Sequence, residues 1–341
     1  NLTWKNRFLE SRAAVMTQFE ELAGILEEFS GQMEQALDVT MTWEGELKTA
    51  LRKRRIDVEG LLVLQYGQGR REVFMTARMT NGRCMTARDA SEAIAKVMKG
   101  SFSAARDGKA IITRNPASFR FIEDGRYRIL FGSSRVPRDG EEVSGDSYTF
   151  KSGLPGQAIL SLSDGMGSGQ AASEDSEKVM ELTEQLLGTG FSARSALKLV
   201  NTVLLLTGQN DRPATLDLCL VDLYSGVAEA MKLGAVASFI MGRDGVEVLE
   251  SEHVPAGVMN PVEPVMISKK LWDGDRIVMV SDGILDAMPG AEKEAAFTDF
   301  LAGLPAAGPQ ETAEMIMAFA LSFDGEPRDD MTVLVGGIYG R

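Results

Sequence analysis

The chain has 341 residues, 44% of them hydrophobic and 25% charged, enough for two domains with cores of their own. Its net charge of −13 argues against nucleic acid as a partner, because a nucleic-acid binder needs a basic face. One histidine and two cysteines exclude a zinc enzyme built on several His or Cys ligands.

The lone His253 lies in a Ser-Glu-His-Val-Pro stretch, and no G-x-S-x-G motif supports a Ser-His-Asp triad around it. A metal used here must be held by oxygen, which favours Mg²⁺, Mn²⁺ or Ca²⁺. Cys84 and Cys219 fall in segments that read as different domains, so they are read as thiols of a reducing compartment. No apolar run reaches the ~18 residues of a membrane span, and no signal-peptide core opens the chain. The expectation is a cytoplasmic protein, or the cytoplasmic part of one anchored through a segment absent from this chain. Asn1 in place of an initiating Met suggests a piece of something longer.

Residues 1–54 read as a long helix. Phe8, Val15, Leu22 and Phe29 recur in a heptad pattern, and Phe19, Leu26 and Met33 follow at an offset of four. Together they form an a/d seam, interrupted by Arg12 and extended by Trp4, Trp43 and Leu47. Such a seam predicts a homodimer through the N-terminal helix; the alternative is a helix packed on its own domain. Residues 55–134 read as a small α/β regulatory domain. Asp57–Gln65 and Arg71–Met79 are strand-like around a Tyr66-Gly67-Gln68-Gly69 turn, Asp89–Met98 has helical spacing, and Lys109–Thr113 and Tyr127–Phe131 add strands. Residues 135–341 alternate short apolar strands with Gly- and Asp-bearing turns. Strands are expected at Ala158–Ser161, Leu216–Leu223, Ala228–Leu233, Ser238–Gly242, Arg276–Val280 and Met331–Ile338. Helices are expected at Ala171–Leu187, at Ala193–Leu206 behind a Ser192 N-cap, and at Pro309–Phe323. Many antiparallel strands with segregated helices imply an α+β layered fold with two packed sheets.

Four aspartates stand out by position. The strand at 158–162 ends in Ser163-Asp164-Gly165-Met166-Gly167, and the strand at 277–280 ends in Ser281-Asp282-Gly283-Ile284. In each, a buried strand delivers an Asp and a Gly then turns the chain. Arg328-Asp329-Asp330-Met331 and Ser144-Gly145-Asp146-Ser147-Tyr148 instead lead into strands. Hard divalent cations need several carboxylate oxygens held rigidly, and a pair of them can activate water for in-line attack on phosphorus. Any one Asp-Gly is more often a turn; four in this order point to chemistry.

Ser-Gly-Asp-Ser-Tyr (144–148), Ser-Asp-Gly-Met-Gly (163–167), Thr-Leu-Asp-Leu (215–218), Val-Ser-Asp-Gly-Ile (280–284) and Asp-Asp-Met-Thr-Val (329–333) resemble, in order, the motifs of the PPM family of metal-dependent serine/threonine phosphatases. The closer likeness is to the bacterial branch acting on anti-sigma-factor antagonists. The segment before residue 135 is similar in layout to the cytoplasmic part of stage II sporulation proteins. The resemblance implies a PPM-type β-sandwich flanked by helices, preceded by a small α/β regulatory domain and a long N-terminal helix. It implies two Mn²⁺ or Mg²⁺ ions, with Asp164 bridging them, the Gly165 carbonyl beside it, Asp282 and Asp329 on the first metal, and Asp146 acting on a water at the metal. Asp330 stands where the family also accepts Asn, at the edge of the metal-binding set. Gly145 replaces an acidic residue common in relatives, and Arg135 and Arg138 are the candidates for a phosphate-binding arginine. The implied substrate is a phosphorylated anti-sigma-factor antagonist, in control of sporulation sigma factors.

Other readings fit less well. Asp273-Gly274-Asp275 has the Asp-x-Asp form of a phosphotransferase nucleophile but precedes its strand. Gly165, Gly167 and Gly169 are out of register for a dinucleotide loop. A pseudophosphatase that only binds its partner is disfavoured by the retained aspartates. Gly165, Gly167 and Gly169, with Gly188-Thr189-Gly190 at the far end, suggest that the helix after Asp164 is hinged at both ends. Val179, Leu182 and Leu186 are expected on its buried side.

Overall fold

The computed structural model describes residues 23–24, 36–66, 70–105, 108–154, 156–206, 214–250, 255–256, 258, 264–324 and 326–341. They fall into two compact units, one holding Glu34–Arg126 and one holding Tyr127–Arg341. The seam positions Phe8, Val15, Phe19, Leu22, Leu26, Phe29 and Met33 lie outside the described residues, as do residues 67–69 and His253.

The smaller unit runs β1 (Leu37–Asp38), α1 (Thr40–Lys53), β2 (Ile56–Gln65), β3 (Arg71–Met79), β4 (Met85–Thr86), α2 (Ala87–Met98), β5 (Phe102–Ala104), β6 (Ile111–Ile112) and β7 (Ala117–Glu123). Five strands form an antiparallel sheet in the order β1-β2-β3-β7-β5, and β4 pairs with β6. The single helix expected through residue 50 is broken here: Leu37 and Asp38 pair with Gln65 and Leu64, and the Asp38 carboxylate accepts the Thr40 N–H at 2.9 Å. Leu47 and Leu51 are fully buried in this unit's core, with Trp43 packed against it. These apolar positions of α1 therefore serve an intramolecular face and not an extension of the seam.

The larger unit comprises β8 (Tyr127–Val136), β9 (Asp146–Ser152), β10 (Gln157–Asp164), α3 (Gly169–Gly188), α4 (Ala193–Leu206), β11 (Leu216–Asp222), β12 (Val227–Leu233), β13 (Ser238–Gly242), β14 (Gly245–Leu249), β15 (Met266–Lys270), β16 (Arg276–Val280), α5 (Asp282–Asp286), α6 (Lys293–Ala302), α7 (Pro309–Asp324) and β17 (Met331–Gly340). Two five-stranded sheets, β15-β12-β11-β10-β9 and β14-β13-β16-β17-β8, face one another. Alternation along the strands builds the layers. Leu160, Leu162, Cys219, Val221, Met279, Leu334 and Ile338 fill the space between the sheets. Ile159, Leu218 and Leu220 point the other way, onto Val179 and Met180 of α3 and Leu197 and Val200 of α4. Val278, Val333 and Val335 meet Ile284, Phe297 and Ile316 from α5, α6 and α7. The result is a helix–sheet–sheet–helix sandwich. Ser192 caps α4 as expected, accepting the Ser195 N–H at 3.1 Å.

One boundary moves. Tyr127–Phe131 was expected in the small unit, with the division at 135. Instead β8 pairs with β17 from Gly340↔Tyr127 to Met331↔Val136, while Ile129 and Phe131 pack on the sandwich core. A period-two pattern identifies a strand but carries no mark of the sheet it joins.

Candidate active site

The two sheets bring the singled-out aspartates to one end of the sandwich. Asp164 is the last residue of β10 and Asp146 the first of β9, and they are direct partners in the antiparallel register. Opposed residues in such a pair hold their Cβ atoms about 5 Å apart, close enough for like charges to repel. From the other sheet, Asp282 opens α5 just after β16, and Asp329 precedes β17.

The glycines beside these carboxylates act through close approach. A Cβ on Gly165 would lie 2.1 Å from the Ala172 carbonyl of α3, and one on Gly283 would lie 2.2 Å from the Asp330 carbonyl. Neither glycine has a positive φ; Gly167 (φ +105) and Gly169 (φ +71) do. Gly165 thus lets α3 press on the site, and Gly283 lets the Asp329–Asp330 backbone reach Asp282. Positive φ accounts for glycine at 167 and 169, whereas at 165 and 283 close approach accounts for it. Gly145 belongs with the latter pair, since its Cβ would lie 2.8 Å from that of Ala172.

Hydrogen bonds fix the aspartates. Thr215 accepts the Asp164 N–H on its hydroxyl at 2.9 Å and donates its own N–H to the Asp164 carbonyl at 2.9 Å. Ser281 donates to the Asp330 carbonyl at 3.2 Å and accepts the Thr332 N–H at 2.8 Å. Asp330 is buried, and both of its carboxylate oxygens accept backbone N–H groups, from Arg138 at 2.9 Å and Gly145 at 2.8 Å. Asp330 thus holds the 138–145 loop in position beside Asp146, in keeping with its expected place at the edge of the set. The exposed Arg135 donates to the Asp146 carbonyl at 3.1 Å and lies over the Tyr148 ring.

Burial and mutual repulsion dominate the electrostatics. Desolvation, then the charges of Asp146, Asp282 and Asp329, pushes Asp164 up to about 9. Desolvation likewise pushes Asp146 up to about 7, while the nearby hydroxyls of Thr332 and Ser281 pull it back and Asp330 and Asp282 push it further. Asp282 is also raised, by burial first and Asp329 second. Asp146 is fully buried, and neither of its carboxylate oxygens has a hydrogen-bond partner. Buried carboxylates of this kind need an opposing charge.

The donors are all oxygen and the charge is all negative, which fits a hard divalent cation. Among the described residues, no group of three or more Asp, Glu, His or Cys side chains is gathered closely enough to hold a metal ion. The four aspartates are neighbours around the end of the sandwich. A narrow cleft opens there, lined by Leu162, Asp164, Thr215, Gly234, Ala235, Val236, Val280, Ser281 and Asp282. Asp273-Gly274-Asp275 lies at the opposite end of β16, where Asp275 accepts the Trp272 N–H at 2.8 Å in a turn.

A model of the stage II sporulation protein E (SpoIIE) family matches residues 155–338, more than half of the chain and all of β10 to β16. The chain belongs to the SpoIIE family. Stage II sporulation protein E of Bacillus subtilis (strain 168) is 26% identical over 337 residues, covering 98% of this chain and 41% of that protein. The SpoIIE relative is therefore much longer than the chain. A solved SpoIIE structure from B. subtilis, comprising its PP2C phosphatase domain and a fragment of its regulatory domain, is 25% identical with a TM-score of 0.73. It covers 100% of this chain and 99% of that one. The SpoIIE phosphatase domain in a crystal form without domain swapping is 30% identical with a TM-score of 0.53, covering 64% of this chain and 95% of that one. The chain is thus a PPM-family (PP2C) phosphatase akin to SpoIIE.

Sequence reasoning passed over Thr215 and Ser281 as positioning groups, although both sit inside the motifs that resemble the PPM family. It also passed over Lys232. Its signal was a lysine between the apolar Met231 and Leu233 in the strand Val227–Leu233.

Proposed function

We propose that this chain is a metal-dependent protein serine/threonine phosphatase acting on phosphoserine or phosphothreonine of a partner protein. The observation that carries the reading is the facing pair of buried Asp146 and half-buried Asp164, both raised by desolvation and neighbouring charge and flanked by Asp282 and Asp329. Asp164, the Gly165 carbonyl, Asp282 and Asp329 would hold two Mn²⁺ or Mg²⁺ ions, with Asp146 alongside. When bound, the ions would neutralise charge on the phosphoryl oxygens and make water a stronger nucleophile. Asp146, its oxygens otherwise unpartnered, would orient the attacking water and take its proton. Ser281 and Thr215 hold the backbone of the carboxylate-bearing segments, and Arg135, exposed beside Asp146, is a candidate cation for the substrate phosphate.

The substrate proposed is a phosphorylated anti-sigma-factor antagonist, and the setting is sigma-factor control in sporulation. The relatives' stage II sporulation names support the sporulation setting; the substrate rests on the family resemblance. The smaller unit is proposed as regulatory and the N-terminal helix as the seat of a homodimer. Among the described residues, no helix is long and apolar enough to cross a membrane; a cytoplasmic location is part of the proposal.

The test is hydrolysis of p-nitrophenyl phosphate and of a phosphorylated antagonist protein. Activity should require millimolar Mn²⁺ or Mg²⁺ and vanish with EDTA. Asp282→Asn should lower kcat about a thousandfold with the fold intact. Full activity of Asp282→Asn at saturating Mn²⁺ would refute the mechanism.

A further inference from the structure

Beneath the cleft lies an ion pair with no role in the chemistry above. Lys232 is 1% exposed, and its ammonium donates to Asp217 at 2.5 Å, the Ser238 hydroxyl at 2.6 Å and the Val236 carbonyl at 2.8 Å. All three ammonium protons are used. Asp217 is 1% exposed and directly opposite Lys232 in the β11–β12 register. On its other side it pairs with Leu162 of β10, just before Asp164. Ser238 also donates to Asp217.

Burying a charge pair is not in itself a gain. Desolvation costs several kcal/mol per ion, and a well-packed apolar pair of similar volume is often as stable or more so. What an apolar pair could not supply is the third bond of the ammonium, which ends on the Val236 carbonyl. Val236, Ala235 and Gly234 form the wall of the cleft facing Asp164 and Asp282. Gly234 has φ +67 and lies against Pro255, and the Val236 side chain packs on the core, so the Lys232 bond adds a polar anchor to the wall's backbone.

We infer that Lys232, seated on Asp217 and Ser238, is a positioning residue that fixes the 234–236 wall of the cleft. The inference rests on the phosphatase reading for its kinetic consequence. A loosened wall would let the bound phosphoryl group sit in unproductive orientations, and misplacement on the ångström scale costs tenfold or more in rate. The loss should therefore appear in kcat, with KM little changed.

The test is the full chain carrying Asp217→Leu together with Lys232→Met, which removes both charges and leaves neither buried alone. Expected are a Tm close to wild type, amide hydrogen exchange across residues 235–238 about tenfold faster, and a kcat for p-nitrophenyl phosphate about tenfold lower. Wild-type exchange and wild-type kcat in that variant would overturn the inference. So would a lowered Tm with unchanged kcat in the folded protein, which is the signature of a merely structural pair. Ser238→Ala removes one leg of the tripod and decides the matter if the double variant does not fold: faster exchange at 235–238 with a lowered kcat supports the role, and no change in either refutes it. A wild-type chain that hydrolyses no phosphomonoester would overturn the phosphatase reading instead, leaving the exchange result to judge the positioning of the wall.

Discussion

Burial first, and neighbouring carboxylates second, make Asp146 and Asp164 each bind a proton more tightly in the folded chain than in the unfolded one. Folding without a cation therefore takes up protons between the ordinary carboxylate value near 3.9 and the raised values, about 7 and about 9. The stability these groups contribute is fully present below that window and is lost as pH rises through it. In EDTA, Tm should fall steadily from pH 5 to pH 8.5, and Asp164→Asn should flatten the trend and raise Tm at pH 8. Saturating Mn²⁺ should restore Tm at pH 8, because a ligand that binds only the folded state stabilises it. A pH-independent Tm in EDTA would remove the electrostatic argument. The aspartates themselves were legible in the sequence because strand ends and glycines frame them. The reason for the glycines was not, since close approach depends on a distant segment that folds against them. Gly165→Ala, whose Cβ would meet the Ala172 carbonyl at 2.1 Å, should cost about 1–3 kcal/mol in urea denaturation.

Among the elements, α3 has the most direct hold on the site. Its Ala172 packs between Gly145 and Gly165, and its buried Ser176 hydrogen-bonds the Gly145 carbonyl and the Ser147 hydroxyl, both at 2.7 Å, one on each side of Asp146. Ser176→Ala should cost about 1–3 kcal/mol and lower kcat, read in parallel by urea denaturation and steady-state kinetics. Of the glycines read as hinges, Gly167, Gly169 and Gly190 carry positive φ and Gly165 does not. If α3 has two packing states, Val179→Ala should change the Mn²⁺ concentration needed for half-maximal activity, because it biases one state over the other. A lower Tm with an unchanged Mn²⁺ requirement would make the helix a scaffold. The central strands β10, β11, β16 and β17 were readable as apolar runs because both of their faces are covered. The edge strands β14 and β15 were not, because one polar face, as in Met266-Ile267-Ser268-Lys269-Lys270, looks like a loop. One-turn α5 is too short to show a period.

At the scale of the whole molecule, an acidic chain with an open carboxylate cleft suits a phosphorylated side chain carried on a folded partner. Free phosphoserine should then be a poor substrate, because remote contacts supply the binding energy that a fragment lacks; equal kcat/KM for phosphoserine and phosphoprotein would contradict this. Self-association through the N-terminal seam is a separate expectation. Leu22→Lys with Leu26→Lys should shift the sedimenting species toward monomer, and an unchanged mass would place the stripe inside its own chain. The pairing of β8 with β17 has one more consequence. Tyr127 and Gly340 are register partners, so the two ends of the sandwich lie about 5 Å apart. Topologically the phosphatase unit is almost a closed ring, whose linear order is set by where the backbone happens to be cut. A short Gly-Ser bridge from Arg341 to Tyr127, with a new opening at the exposed Arg243–Asp244 hairpin tip, would give a circular permutant with the same sheets. Its four aspartates would be reached in a different chain order but held at the same strand ends.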